Sequence, residues 1–346
     1  MLTKKQVSEI REHLQRAQNP IFFFDNDADG VCSFLLLQRY LGRGKGVPIK
    51  SFPDVAEEYF KKVVEFKADY IFFLDKPVIS KEFFDLAEKA GVNVVWIDHH
   101  MIDKEDVPDF VYYYNPLFNE SKSDEPVTAL CYQIANKTED LWILVAGCIS
   151  DRFVPPEYSD FEKKYPDLAL SSSDSFDIYY KSQIGKIAKI INFGLKDRTT
   201  NVMNMIRFFL AASSPYEVLE ESSGNQTMYY RYKQVDSKYK RLLKKSISFV
   251  GEGRMIFFPY GGDLSISSDI SNELSYLFKD KIVVVLYNKG SKVNISMRGK
   301  GVRDIFARAI KDIEGARGGG HENAIGGQIN SKDVERFRER LEELIG

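Results

Sequence analysis

Three carboxylates spaced two apart, Asp25, Asp27 and Asp29, stand at the end of an apolar run, Ile21 to Phe24. Gly30 closes the group, and a helix-like run from Val31 to Leu41 follows. Like charges crowded at a strand end repel one another and cost stability unless something neutralises them. A divalent cation does this, and alternate carboxylates suit Mg²⁺ or Mn²⁺. A solvated acidic turn is the plain alternative for this stretch taken alone. The pattern recurs, however. Tyr70 to Leu74 ends at Asp75; Val92 to Ile97 ends at Asp98, followed by His99 and His100; Leu141 to Ser150 ends at Asp151. A lone Asp at a strand end is commonly a helix N-cap. Four such ends in order, one carrying two of the chain's four histidines, point instead to metal chemistry.

The ligand supply exceeds one ion. Carboxylates and imidazoles in this number suit a two-metal site, with ions ~3.5–4 Å apart sharing one carboxylate. Such a pair acidifies a water and takes up charge on phosphate oxygens, so the chemistry read here is phosphoester hydrolysis without a protein nucleophile. Farther along, Arg317-Gly318-Gly319-Gly320-His321 reads as a glycine-rich turn whose backbone N–H groups approach a phosphate. Arg298 ends a strand nearby and is placed to reach the same anion. Met228 to Lys245 interleaves tyrosines with lysine and arginine. That mixture suits a single-stranded backbone with stacked bases, but a solvated connector helix is the favoured reading. His13, in the first helix, is expected to be an ordinary surface residue.

These side chains need a scaffold that gathers them. Helix-like and strand-like segments alternate from residue 4 to residue 150, with continuous apolar strands. That rhythm marks a parallel sheet covered on both faces. All strand C-termini of such a sheet lie on one edge, where ligands bind. Strands are expected at Pro48–Phe52, Asp69–Leu74, Val92–Ile97 and Phe110–Tyr114, and helices at Asp54–Phe66, Ser80–Ala90 and Val127–Ala135. Leu141–Cys148 reads as a helix or a strand. A second, smaller α/β unit begins near Arg254. The expected organisation is α/β in two domains: a catalytic parallel-sheet domain over 1–184, a helical connector over 185–250, a substrate-binding domain over 251–346, and a site in the cleft. The charge balance, 48 basic against 50 acidic residues, gives no bulk field towards nucleic acid or membrane. Three cysteines without metal-type spacing read as buried free thiols. With no signal-peptide core and no run of ~18 apolar residues, a soluble cytoplasmic protein without membrane association is expected.

Asp25-Asn26-Asp27-Ala28-Asp29-Gly30, the isolated Asp75, the literal Asp98-His99-His100, Asn115-Pro116, and Ala146-Gly147 leading to Asp151 together resemble the DHH phosphoesterase superfamily in order and spacing. Ser296, Arg298 and the Gly318–His321 stretch resemble its associated C-terminal domain. The first motif is closer to RecJ-type exonucleases than to family II pyrophosphatases. RecJ-type chains commonly carry Tyr where this one has Asn26, and Gly where it has Lys76. Carried over by position, the resemblance implies that Asp25 and Asp27 serve one metal and Asp29, His99 and Asp151 another. Asp75 bridges the two, Asp98 supports the histidine pair, and His100 faces the substrate phosphate. Arg298, Gly318, Gly319, Gly320 and His321 hold substrate. The implied cofactor is a pair of Mn²⁺ ions, with Mg²⁺ as a substitute. The implied activity is a Mn²⁺-dependent exonuclease on single-stranded DNA or RNA, with a small-substrate phosphoesterase as the alternative and a replication scaffold ranked last. The implied partners are single-stranded nucleic acid or short oligonucleotides, within a replication or repair complex, with the oligomeric state left open.

Overall fold

The computed structural model of this chain describes residues 1–50 and 54–346, and these fall into two compact units, Met1–Tyr232 and Lys233–Gly346. In the first unit the strands are β1 (Pro20–Asp25), β2 (Lys45–Ile49), β3 (Asp54–Val55), β4 (Tyr70–Leu74), β5 (Val78–Ile79), β6 (Asn93–Ile97) and β7 (Val111–Tyr114). Five of them form one sheet in the order β2-β1-β4-β6-β7, parallel throughout. Its helices are α1 (Lys4–Arg16), α2 (Ala28–Leu41), α3 (Phe60–Glu65), α4 (Lys81–Lys89), α5 (Val127–Ala135), α6 (Leu141–Ser150), α7 (Tyr158–Lys164), α8 (Ser175–Lys181), α9 (Gln183–Gly194), α10 (Thr199–Ala211) and α11 (Pro215–Leu219). The last helix that begins in this unit, α12 (Gln226–Ile247), runs into the second.

The central strands carry unbroken apolar runs, Ile21–Phe24, Tyr70–Leu74 and Val94–Ile97, because both sheet faces are covered there. Phe22, Phe24, Phe72, Leu74, Val95 and Ile97 bury into one core with α1, α2, α5 and α6. The alternate residues Ile21, Phe23, Ile71, Phe73, Val94 and Trp96 bury into the other with α3 and α4. Pro48 lies opposite Phe24 on β2, at the sheet edge, where a missing N–H donor is tolerated. His13 corrects its expectation: it is buried against Tyr112, with ring centroids 4.1 Å apart.

Several element boundaries differ from the sequence reading. Only the second half of Asp54–Phe66 is α-helical; Asp54–Val55 pairs in parallel with Val78–Ile79 instead. A partner distant in sequence overrides the local period there. The strand expected at Pro48–Phe52 starts earlier and is described to Ile49, while residues 51–53 lie outside the described residues. Leu141–Ser150 is a helix whose residues Leu141 to Ile149 are all buried. A helix apolar on every side belongs in the middle of a core, and its run of residues carries no period to distinguish it from a strand. Helices α9, α10 and α11, within the stretch read as a connector, bury Ile187, Ile191, Val202, Ile206, Phe209 and Val218 in the same core as α2 and α6. Among the described residues no helix is long and apolar enough to cross a membrane. Cys32, Cys131 and Cys148 are buried free thiols.

The second unit contains β8 (Met255–Gly261), α13 (Ser267–Leu277), β9 (Ile282–Lys289), β10 (Lys292–Arg298), α14 (Val302–Ile310), β11 (Arg317–His321), β12 (Ala324–Asn330) and α15 (Val334–Ile345). Its mixed sheet has the order β11-β12-β10-β9-β8, parallel only between β8 and β9. The glycine-rich segment is therefore an edge strand rather than a turn. Glycines carry no strand pattern to read, but their small size lets β11 and β12 lie close over Phe306. A Cβ on Gly318 would come within 2.6 Å of that ring, and one on Gly327 within 2.3 Å.

Candidate metal centre

Parallel register builds the first row of the site. The last pairs along the sheet are Phe24 with Leu74 and Leu74 with Ile97. One residue further, Asp25, Asp75 and Asp98 end adjacent strands in a line. Asp75 is buried and takes a left-handed backbone, φ 60°. That conformation is strained for a residue with a Cβ, and such strain gathers at sites where geometry is imposed from outside. Its N–H still donates to Ile97 O at 3.1 Å, so the turn is anchored to β6.

The second row comes from the start of α2. The helix begins at Ala28, earlier than the sequence suggested, with Asp27 as its N-cap, accepting from Gly30 N at 2.9 Å. Asp29 therefore lies in the first turn, on the side facing α5. Its two carboxylate oxygens accept from Val127 N at 2.9 Å and Thr128 N at 2.7 Å. Pro126, the N-cap of α5, makes no side-chain cap of its own, so Asp29 caps that helix through space. Gly30 is required by the close approach of α2 to β1. A Cβ there would lie 2.5 Å from Asp25 O and 2.7 Å from Asp25 N.

The remaining carboxylate corrects an expectation. Asp151 does not end a strand; it is the C-cap of α6. A carboxylate at a helix C-terminus meets the negative end of the macrodipole, so this position is unfavourable without a nearby cation. Its side chain keeps 44% of its surface open, yet surrounding protein raises its pKa to about 6, with burial first and the nearby Asp29 charge also contributing. Asp27 and Asp75 are raised too, through burial and neighbouring carboxylates.

The two histidines are held differently. Nδ1 of His99 lies 3.3 Å from Asp124 O, and a carbonyl only accepts, so Nδ1 bears the proton. Nε2 then faces Asp75 Oδ1 at 3.4 Å and Asp151 Oδ2 at 3.9 Å. Burial opposes charge on His99, but Asp75 and Asp151 outweigh it and raise its pKa. His100 donates from Nδ1 to Asp98 Oδ1 at 2.9 Å and from its backbone N to Asp98 Oδ2 at 3.1 Å. Asp98 is wholly buried, and the His100 charge helps keep its carboxyl below the usual range despite that burial. Asn115 Nδ2 holds the His100 carbonyl at 2.8 Å.

Three groups of donor atoms gather within 4.8 Å: Asp29, His99 and Asp151; Asp25, Asp27 and Asp75; and Asp75, His99 and His100. Every residue assigned to metal from the sequence is in one of the first two. The donor set fits a divalent cation. Mixed carboxylate and imidazole are the ligands such ions take, and a histidine whose second nitrogen donates to a carbonyl is typical of a metal ligand. Asn26, in the midst of the motif, has a buried Oδ1 without a hydrogen-bond partner among the described residues. Two residues at the site were given no role from the sequence. Lys76 is fully buried, with Nζ 2.9 Å from Asp25 Oδ1. Arg152, at φ 61°, follows Asp151 and lays its guanidinium over Phe176 at 5.1 Å. A cation just past an apolar run reads as a solvated end, and Lys76 stood out in sequence only as a departure from the RecJ-type pattern.

In the second unit, Arg298 pairs with Ala324 and Ala324 with His321. Residues opposite one another in adjacent strands share a sheet face, so Arg298 and His321 stand on one face two strands apart. The Arg298 guanidinium is oriented by Asn272 Oδ1 at 2.6 Å and Met297 O at 2.8 Å. Gly318 and Gly320 are fixed by sterics, the latter at φ +145° with Ala324 O 2.4 Å from an added Cβ. Gly319 faces open space.

A family model described as the DHH family, N-terminal domain, matches residues 21–149, and the DHHA1 domain model matches residues 253–346. RecJ from Thermus thermophilus in complex with Mn²⁺ is similar at a TM-score of 0.74 and 16% identity, over 100% of this chain and 55% of that one. Exonuclease RecJ bound to manganese gives 0.67 and 15%, over 100% and 95% of the two chains. A pGpG-specific phosphodiesterase from Vibrio cholerae gives 0.50 and 12%, over 95% and 99%. At such identities the likeness is one of fold. This chain thus spans 55% of the length of the Thermus RecJ. No curated protein matches the sequence.

Proposed function

Since the chain belongs to the DHH superfamily of phosphoesterases through its two matching domains, we propose that it is a metal-dependent phosphodiesterase that degrades single-stranded DNA or RNA as a RecJ-like exonuclease. The observation that carries this reading is the convergence of Asp25, Asp27, Asp29, Asp75, His99 and Asp151 into overlapping donor groups at one sheet edge. Asp29, His99 and Asp151 would hold one ion, Asp25 and Asp27 a second, and Asp75 would touch both. Mn²⁺ is the proposed metal, with Mg²⁺ as a substitute. Bound there, divalent cations supply Lewis acidity, polarising phosphate oxygens and acidifying a water.

The chain's own groups do the positioning. Asp124 O holds the His99 proton on Nδ1 and keeps Nε2 turned to the carboxylates. Asp98 fixes the His100 ring through Nδ1, leaving Nε2 on its far edge for a substrate phosphate oxygen. Arg298 and His321 supply donors to the substrate backbone, and Gly319 leaves β11 open to close approach. Single-stranded nucleic acid is the proposed substrate, and a replication or repair assembly the proposed setting.

The test is an end-labelled degradation assay on DNA and RNA homopolymers of roughly two to twenty nucleotides, with Mn²⁺ or Mg²⁺. Stepwise shortening of the long substrates is expected. A rate confined to the shortest would favour a second reading, a small-substrate phosphoesterase, which the near-complete coverage of the pGpG phosphodiesterase supports. No cleavage of any phosphodiester with either metal would overturn both.

A further inference from the structure

We infer that Lys76 is a built-in counter-cation of the Asp25, Asp27 and Asp75 group, so that the two metal positions load unequally. This deepens the proposed function and rests on its reading of the site as a metal centre. Lys76 is wholly buried, and its ammonium lies 2.9 Å from Asp25 Oδ1. Its backbone is fixed on two sides: Asp75 before it is anchored to β6, and its carbonyl accepts from Trp96 Nε1 at 2.9 Å. Burying an ammonium is costly unless it is paired, and the Asp25 carboxylate supplies such a pairing.

The two donor groups differ in how a cation meets them: Arg152, beside Asp151, lowers that carboxyl's pKa through space and lays its guanidinium over Phe176. Asp29, His99 and Asp151 meet one another around His99 Nε2, and Asp29 takes its other bonds from backbone N–H groups. Asp25 instead already faces a fixed positive charge. A divalent ion entering among Asp25, Asp27 and Asp75 must share Asp25 with that ammonium or displace it. The like charges repel over a short distance in surroundings poor in water. The Asp29, His99 and Asp151 position therefore fills first, and Lys76 stands in for the other ion until metal or substrate phosphate draws it into place.

Metal-free protein titrated with Mn²⁺, followed by equilibrium dialysis and electron paramagnetic resonance, tests this. The wild type is expected to bind one ion tightly and a second roughly 10- to 100-fold more weakly, the usual size of an effect next to a metal ligand. Lys76→Met should bring the second affinity up towards the first. The spin-coupled signal of an ion pair should then develop at the lower Mn²⁺ concentration. Lys76→Arg, which keeps the charge, should retain the gap. Two equally tight ions in the wild type would overturn the role of Lys76 and leave the metal centre standing, and that measurement holds even where Lys76→Met fails to fold. Absence of any Mn²⁺ binding would remove the metal centre and this inference together.

Discussion

Asp75 is the residue on which most of the site's electrostatics meets. It is buried, left-handed in backbone, within 3.4 Å of His99 and grouped with Asp25 and Asp27. Asp75→Ala is expected to lower turnover by about 10³-fold or more, as loss of a group acting within a catalytic unit does. It should also raise the melting temperature of the metal-free protein, because a crowded carboxylate is gone. Wild-type turnover in that variant would contradict a bridging role. The Asp151 shift yields a pH prediction. Its folded pKa, about 6, lies above the ordinary 3.8, so the folded state binds protons more readily than the unfolded chain. Stability from this group is complete below the ordinary value and is lost as pH rises towards about 6. Asp27, Asp75 and His99 are raised as well and act in the same direction. Chelator-treated protein should therefore melt several degrees higher at mildly acid than at neutral pH, and saturating Mn²⁺ should shrink that difference. A metal-free melting temperature that climbs from mildly acid to neutral pH would sink the argument.

At the scale of elements, the site depends on how closely α2 approaches β1 and on how α5 is capped. Gly30→Ala places a methyl group 2.5 Å from the Asp25 carbonyl oxygen. Overpacking against backbone costs about 1–3 kcal/mol. Asp25 should shift with it, so denaturant melts and Mn²⁺ affinity should fall together. Asp29→Ala makes a contrasting case. It leaves the N–H groups of Val127 and Thr128 without their acceptor at the buried start of α5. That loss is worth about 1–3 kcal/mol even without metal. Removing Asp29 should thus destabilise the metal-free protein while removing Asp75 stabilises it. Opposite signs from two carboxylates of one site would separate a structural anchor from a charge tolerated for function.

At the scale of the molecule, the metal groups and the proposed substrate donors belong to different compact units, each with its own core. Metal binding and substrate capture should therefore separate. His321→Ala is expected to raise KM more than it lowers kcat, by roughly tenfold or more, the worth of one hydrogen bond to a charged phosphate. Its Mn²⁺ affinity should be unchanged. A fragment spanning Met1 to Val250 should titrate with Mn²⁺ like the full chain and lose activity at ordinary substrate concentrations. A fragment with full activity would show that the second unit is dispensable for capture.

Much of this was legible in the order of residues alone. Apolar runs and the Asp that stops each of them are local features, and a parallel sheet sends every strand end to one edge. Asp25, Asp75 and Asp98 could thus be lined up without coordinates, and the histidines followed by adjacency. What local pattern could not carry was any role set by a partner far along the chain. Asp29 caps α5 across 98 and 99 residues, and Lys76 neutralises Asp25 across 51. Leu141 to Ile149, apolar at nearly every position, has no period to distinguish helix from strand, so only packing decided that Asp151 ends a helix. The glycines of β11 have no side chains to pattern, so backbone pairing with β12 alone made them a strand. Periodicity records which side of an element faces the core, whereas a contact between distant elements exists only once the chain has closed around it.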